Sequence, residues 1–210
     1  MERGKNFKAI KALFGENFIG PDELYSINER IKLNIPRHFP DLPVLHEKVR
    51  SEPHNFIIIL GIPYTQNNEP VNIITLRNIF GIDSTISEPC FYNQDWYLKE
   101  DFVNKSIEFK WYILRKYLIE ETKGKDPEII SKTLTFPTAI LCTYTFFIYS
   151  LAFKKYLWPT EFIWCSDTDH NNDRIYVGRY FDPSGINKNG FNIHRHLKIR
   201  KIYGSIEQTL

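Results

Sequence analysis

Apolar and polar residues alternate most regularly over residues 161–203, where three runs are separated by two polar loops, and this pattern predicts a β-meander. In the last run Phe191, Ile193, Leu197 and Ile199 share one face, interrupted by Arg195, while Asn192, His194, His196, Lys198 and Arg200 share the other. The middle run sets Ile175, Val177 and Phe181 against Tyr176 and Tyr180, so both of its faces are expected to be covered. Upstream, NFIIILG at 55–61 is a continuous apolar run bounded by a turn, the mark of a strand in the middle of a sheet. Ile107, Phe109, Trp111 and Ile113 alternate with Glu108, Lys110 and Tyr112, which predicts another strand over 107–119 with its polar residues on one face.

Helical spacing governs the rest. Phe7, Ile10, Leu13 and Phe14 recur on one face of a short amphipathic helix with Lys5, Lys8 and Lys11 between them, and Gly15 can end it. Pro21 opens a second helix with acids in its first turn and Leu24, Ile27 and Ile31 on one face. Four prolines over 36–53 predict a loop with a helical turn or two near 45–49, VNIITLRNIFG reads as a helix closed by Gly81, and a brief helix starts near Pro127. Residues 138–153 are apolar all round, with Ala139, Cys142, Phe146 and Phe153 on one side and Ile140, Phe147 and Leu151 on another, and Thr135 and Pro137 are the expected cap and first-turn residues. This run falls short of the roughly 20 residues of a spanning helix. It reads as a core helix, with no membrane contact. The expected fold is therefore α+β: a mixed or antiparallel sheet holding the 55–61, 107–119 and meander strands, packed on the central buried helix. One globular domain covers 1–210, with 1–54 helical and proline-rich and 55–210 forming the sheet-containing core.

Charge changes this picture little. Lys and Arg number 27 against 25 Asp and Glu, a net charge of +2, which argues against strong sequence-independent binding of nucleic acid or anionic membrane. Three cysteines, with no CxxC pair, argue against a disulfide framework or a structural zinc site. The N-terminus lacks the apolar stretch of a signal peptide, so a cytoplasmic location is expected.

Three constellations could carry chemistry. Asp167, Asp169, Asn171 and Asp173 occupy positions 1, 3, 5 and 7 of a loop, the spacing with which calcium loops converge alternate oxygens on one hard cation. Position 6 is Asn172 and position 12 is Gly178, where such loops carry Gly and Glu, and a hairpin tip held by Asx-type hydrogen bonds accounts for the same residues without a cation. Glu108 and Lys110 form an E-x-K pair with Asp95 or Asp101 shortly before it, the order in which a metal-dependent nuclease or hydrolase holds Mg²⁺ and steadies the attacking water; a solvated charge pair has the same look. His194 and His196 stand two apart on a strand face that Lys198 and Arg200 continue, a spacing suited to zinc, to phosphate, or to an ordinary polar face.

The order FPTAILCTYTFFIYSL, LWPTEFIWCSDTDHNNDRIYVGRYF, GFNIHRHLKIRK resembles a group of bacterial C-type-lectin-like domains, with their proline-threonine helix start, Trp-Ser strand opening, aromatic strand, glycine turn and final basic strand. The resemblance covers the C-terminal third. It implies a display module that binds a ligand through the loop at 167–173 and the loop carrying Asn187 and Asn189. Because no nucleophile, base and orienter can be assembled from the sequence, the expectation is a non-enzymatic interaction or structural protein. It would use the meander loops and the His194, His196, Lys198 and Arg200 face, have a protein partner or oligomer, and carry no cofactor or one calcium ion.

Overall fold

The computed structural model describes residues 3–184, 189–196 and 198–209. Asn187 and Leu197 lie outside the described residues. In chain order the elements are α1 (Arg3–Phe14), β1 (Phe18–Ile19), α2 (Pro21–Ile31), α3 (Glu47–Ser51), β2 (Phe56–Leu60), α4 (Ile73–Phe80), β3 (Trp111–Arg115), α5 (Pro127–Ile130), α6 (Ala139–Phe153), β4 (Phe162–Thr168), β5 (Arg174–Tyr180), β6 (Gly190–Arg195) and β7 (Tyr203–Gly204). The class is α+β. The strands divide into two sheets, in the orders β1-β2-β3 and β6-β5-β4-β7, where the sequence pattern suggested one.

The reason for two sheets is α6. A helix apolar on every side needs cover on every side, and all of its residues from Ala139 to Ser150 are buried. The four-stranded sheet lays Ile163, Cys165, Ile175, Val177, Phe191 and Ile193 into the same core cluster as α6. The three-stranded sheet reaches α6 through Tyr144, whose hydroxyl donates to the Leu60 carbonyl at 3.0 Å, and through Lys116, which donates to the Tyr149 hydroxyl at 3.1 Å. Helices α2 and α4 pack on α6 as well. No helix among the described residues is long and apolar enough to cross a membrane.

Local chemistry sets the helix ends. Gly15, at φ 55°, stops α1, and Gly81, at φ 73°, stops α4. Pro21 opens α2, and Glu23 reaches back to accept the Gly20 N–H at 2.9 Å. The cap of α6 is Thr138, whose hydroxyl accepts the Leu141 N–H at 3.2 Å, three residues beyond the expected Thr135.

Strand β2 is buried along its whole length between β1 and β3, as its continuous apolar run requires. The 107–119 strand is shorter than its alternation suggested. Pairing with β2 runs from Trp111 to Arg115, and Trp111, Tyr112, Ile113 and Leu114 are all buried, so β3 has no wet face. Glu108 and Lys110 lie ahead of it in a bend, where the Glu108 N–H donates to the Tyr112 hydroxyl at 3.0 Å. Phe181 likewise falls past the end of β5 and is exposed, leaving Ile175 and Val177 as the buried pair.

The Tyr144 hydroxyl sits in an apolar interior that pushes its pKa up and keeps it a donor at neutral pH. Tyr144→Phe leaves the Leu60 carbonyl without that donor, and urea denaturation is expected to show a loss of about 1–2 kcal/mol with an unchanged m-value.

Candidate functional site

Two places gather chemistry, at opposite ends of the design logic of the four-stranded sheet. The first is the β4–β5 hairpin tip. Strand parity places Asp167 on the inward face after Ile163 and Cys165, and it is buried. One carboxylate oxygen accepts from Lys105 Nζ at 2.6 Å and the other from the Ala139 N–H, at the α6 N-terminus, also at 2.6 Å. Asp169 closes the turn: Oδ1 accepts the N–H groups of Asn171 and Asp173, both at 2.9 Å, and Oδ2 accepts from Arg195 Nη1 at 3.2 Å. Burial acts to raise the Asp169 carboxyl, but the Asp173 and Asn171 N–H donors and the Arg195 guanidinium outweigh it and hold the group below its ordinary value.

Glu100, buried just before the helical turn Asp101–Asn104, grips the tip from outside. It accepts the His170 N–H at 2.9 Å, and its other oxygen lies 2.7 Å from His170 Nδ1. Among the described residues, Glu100, Asp169 and His170 form the one group of acidic and histidine ligand atoms that lie within 4.8 Å of one another. They border a cavity of about 320 Å³ with Lys105, Asp167 and Ser166. The calcium-loop set of Asp167, Asp169, Asn171 and Asp173 is not drawn together. Asp167 points at a lysine and a helix end, and the oxygens of Asp169 are held by the Asx-type bonds of the alternative reading.

The nuclease set is dispersed too. Glu108 and Lys110 pair with each other at 2.5 Å on the surface, Asp95 pairs with Arg77, and Asp101 lies beside the acidic tip. These three carboxylates form no cluster among the described residues.

The second place is the outward face of the same sheet. Cross-strand register sets His194 opposite Tyr176 and Tyr176 opposite Trp164, so one row of rings crosses β6, β5 and β4. The His194 and Tyr176 rings are 5.4 Å apart and within 7° of parallel, and Tyr203, brought in by the parallel β7, lies 4.6 Å from Tyr176. The Tyr176 and Tyr203 hydroxyls share a hydrogen bond at 3.2 Å. Burial and that bond push the Tyr176 phenol up. These rings floor a cavity of about 470 Å³ whose wall includes Phe162, Arg179, Phe181 and Arg200.

Of the expected ligand residues, His194 and Arg200 line this cavity. His196 packs edge-on against Trp164 with ring centres 5.1 Å apart, and Lys198 is exposed. Asn189 holds its own loop, accepting the Asp182 N–H at 2.9 Å. Sequence reasoning missed Tyr203, Phe162 and Arg179 as wall residues. Phe162 and Trp164 share parity and could have been paired with Tyr176; Tyr203 returns through a parallel pairing that no local pattern announces. Glu100 gave no signal, since it lies in an irregular segment.

No family model matches the chain, and neither a curated protein nor a solved structure matches it.

Asp167→Ala strands the Ala139 N–H at a buried helix end, while the exposed Lys105 returns to solvent, and is expected to cost about 1–3 kcal/mol in chemical denaturation, with Asp167→Asn losing less than half of that. For Asp169, whose pKa is lowered on folding, the added stability is present above the unfolded carboxylate value near ~3.9 and lost as pH falls through the lowered folded value. Wild type and Asp169→Asn are therefore expected to differ by about 1–3 kcal/mol at neutral pH and to converge below roughly pH 4 in thermal melts.

Proposed function

We propose that this chain is a binding protein that takes its ligand in the cavity on the outward face of the C-terminal meander. The observation that carries this reading is the coincidence, in one concave site, of a preformed ring floor and the side chains of His194 and Arg200. Small-ligand sites are typically apolar clefts of about 300–1,000 Å³ with a few placed polar groups, and this one fits the description. The reading shares with the lectin-like resemblance the use of the C-terminal strands and moves the contact from the loop tips to the sheet face. It keeps the expected cytoplasmic setting, with which three buried free thiols are compatible.

The acidic tip supports a cation less well. Each oxygen of Glu100 and Asp169 already accepts from a protein donor, so a metal ion would have to displace Arg195 and take the place of the His170 Nδ1 proton. A further cavity, between α1 and α2, mixes Lys8, Lys11 and Arg37 with Asp22 and Glu23, which leaves no dominant sign of charge.

The test is amide-resolved NMR of the labelled full-length chain against a library of small polar aromatic compounds. Hits are expected to shift the amides of Tyr176, His194, Arg200 and Tyr203 together; hits that cluster instead at Lys11, Phe18 and Phe39, or at His170 and Asn171, overturn the assignment.

A further inference from the structure

The same cavity carries a more specific assignment, which rests on the reading just given. Its charge is of one sign. Arg179 and Arg200 line it beside the His194 imidazole, and no carboxylate does among the described residues. Arg179 is shared: it pairs with Glu88 at 3.0 Å and lies between the rings of Tyr156, at 4.2 Å, and Phe181, at 5.6 Å. Arg200 is exposed and pairs with no carboxylate among the described residues. A concave site with low-dielectric walls and an unneutralised guanidinium concentrates anions, and the planar guanidinium fork matches a phosphate.

The remaining surface selects what the anion is attached to. The floor is made of rings, Phe162, Tyr176, Tyr203 and the His194 imidazole, and the mouth adds Tyr180, Phe181 and Ile202, all at least 39% exposed. The Tyr176 ring is already stacked against His194, so open ring surface is offered at the mouth, by Phe181 and Tyr180, and a base stacked on an exposed aromatic side chain is a recurrent arrangement. His194 Nδ1 lies 2.9 Å from the Arg195 nitrogen and 3.1 Å from the Arg195 carbonyl oxygen, so the neighbouring backbone holds the ring in place. The volume, about 470 Å³, suits a single planar group with one anionic arm. A long polyanion is disfavoured by the near balance of charge along the chain, a net +2.

We propose that the outward-face cavity binds a mononucleotide, its base against the exposed Phe181 and Tyr180 rings at the mouth and its phosphate at Arg200 with Arg179 behind it.

Calorimetric and NMR titration of the full-length chain with AMP tests this, with adenosine, ribose 5-phosphate and a short oligoadenylate as comparisons. AMP is expected to bind and to shift the Tyr176, His194 and Tyr203 amides, with adenosine and ribose 5-phosphate each at least about tenfold weaker, since each lacks one of the two contacts. Arg200→Glu, an exposed charge reversal that leaves the ring floor in place, is expected to weaken AMP by about tenfold or more while hardly affecting adenosine, and Phe181→Ala to weaken both AMP and adenosine severalfold. Ribose 5-phosphate binding as tightly as AMP, an oligoadenylate binding more tightly, an Arg200→Glu variant with unchanged affinity, or no AMP binding at all each overturns the nucleotide assignment. If AMP fails while library compounds still shift the cavity amides, the binding reading stands and only the nucleotide falls. If library hits map elsewhere, both fall.

Discussion

A helix buried on all sides exposes its first N–H groups to a place water does not reach, and those donors must be met by the protein. In α6 the Leu141 N–H is met by Thr138 and the Ala139 N–H by the Asp167 carboxylate, with Lys105 balancing the charge. The acid comes from the last inward position of β4. That single contact fixes how far along α6 the sheet lies and which face of β4 turns inward, because a slip of one residue would send Asp167 outward and Trp164 into the core. Neighbouring Ser166 adds a second tie, its N–H donating to the Pro137 carbonyl at 2.9 Å.

Once the inward face is fixed, the outward face follows from parity. Ile163, Cys165, Ile175, Val177, Phe191 and Ile193 turn toward α6, so Phe162, Trp164, Tyr176 and His194 must turn away from it. Left to solvent, such a ring-rich face would be an association hazard. The chain covers part of it by folding back: a turn closed by the Tyr203 N–H on the Arg200 carbonyl, at 3.0 Å, leads into β7, which pairs parallel to β4 and lays Tyr203 over Tyr176. The cover is incomplete on the β5 side, and the recess between the rings and Arg200 is what remains.

The meander, the continuous β2 strand and the all-apolar helix were legible because burial leaves a period in the sequence, and each period maps onto one geometry. The E-x-K strand was misread because Glu108 and Lys110 continue the alternation of β3 into a bend, and alternation alone cannot tell where pairing stops. Arg195 interrupts the apolar face of the last run for a reason visible only in three dimensions: at the end of β6 the inward direction no longer meets the helix but the hairpin tip, where Asp169 waits at 3.2 Å and the Trp96 ring lies 5.4 Å below the guanidinium. Asp167 interrupts β4 in the same way. Both charges lie at strand ends, and Asp167 looked like a metal ligand because sequence shows an ionisable group without showing its partner. The division of the strands into two sheets was equally hidden, since it depends on what α6 needs on its far side.

Remaining capacity is what separates the two candidate sites. At the acidic tip the oxygens of Glu100 and Asp169 already accept N–H donors, and the charge of Asp169 is met by Arg195, so the cluster works as a fastening between the 100–105 segment and the hairpin. A newcomer there must break more contacts than it makes. On the outward face the rings are locked against one another and by the Tyr176–Tyr203 hydroxyl bond, so holding them still costs a ligand little entropy. The Arg200 guanidinium pairs with no carboxylate among the described residues, and Tyr180, Phe181 and Ile202 are left exposed at the mouth. Rigid walls combined with unspent interactions are a physical condition for recognition, and that contrast is the ground on which the meander face is proposed as the binding site ahead of the acidic tip.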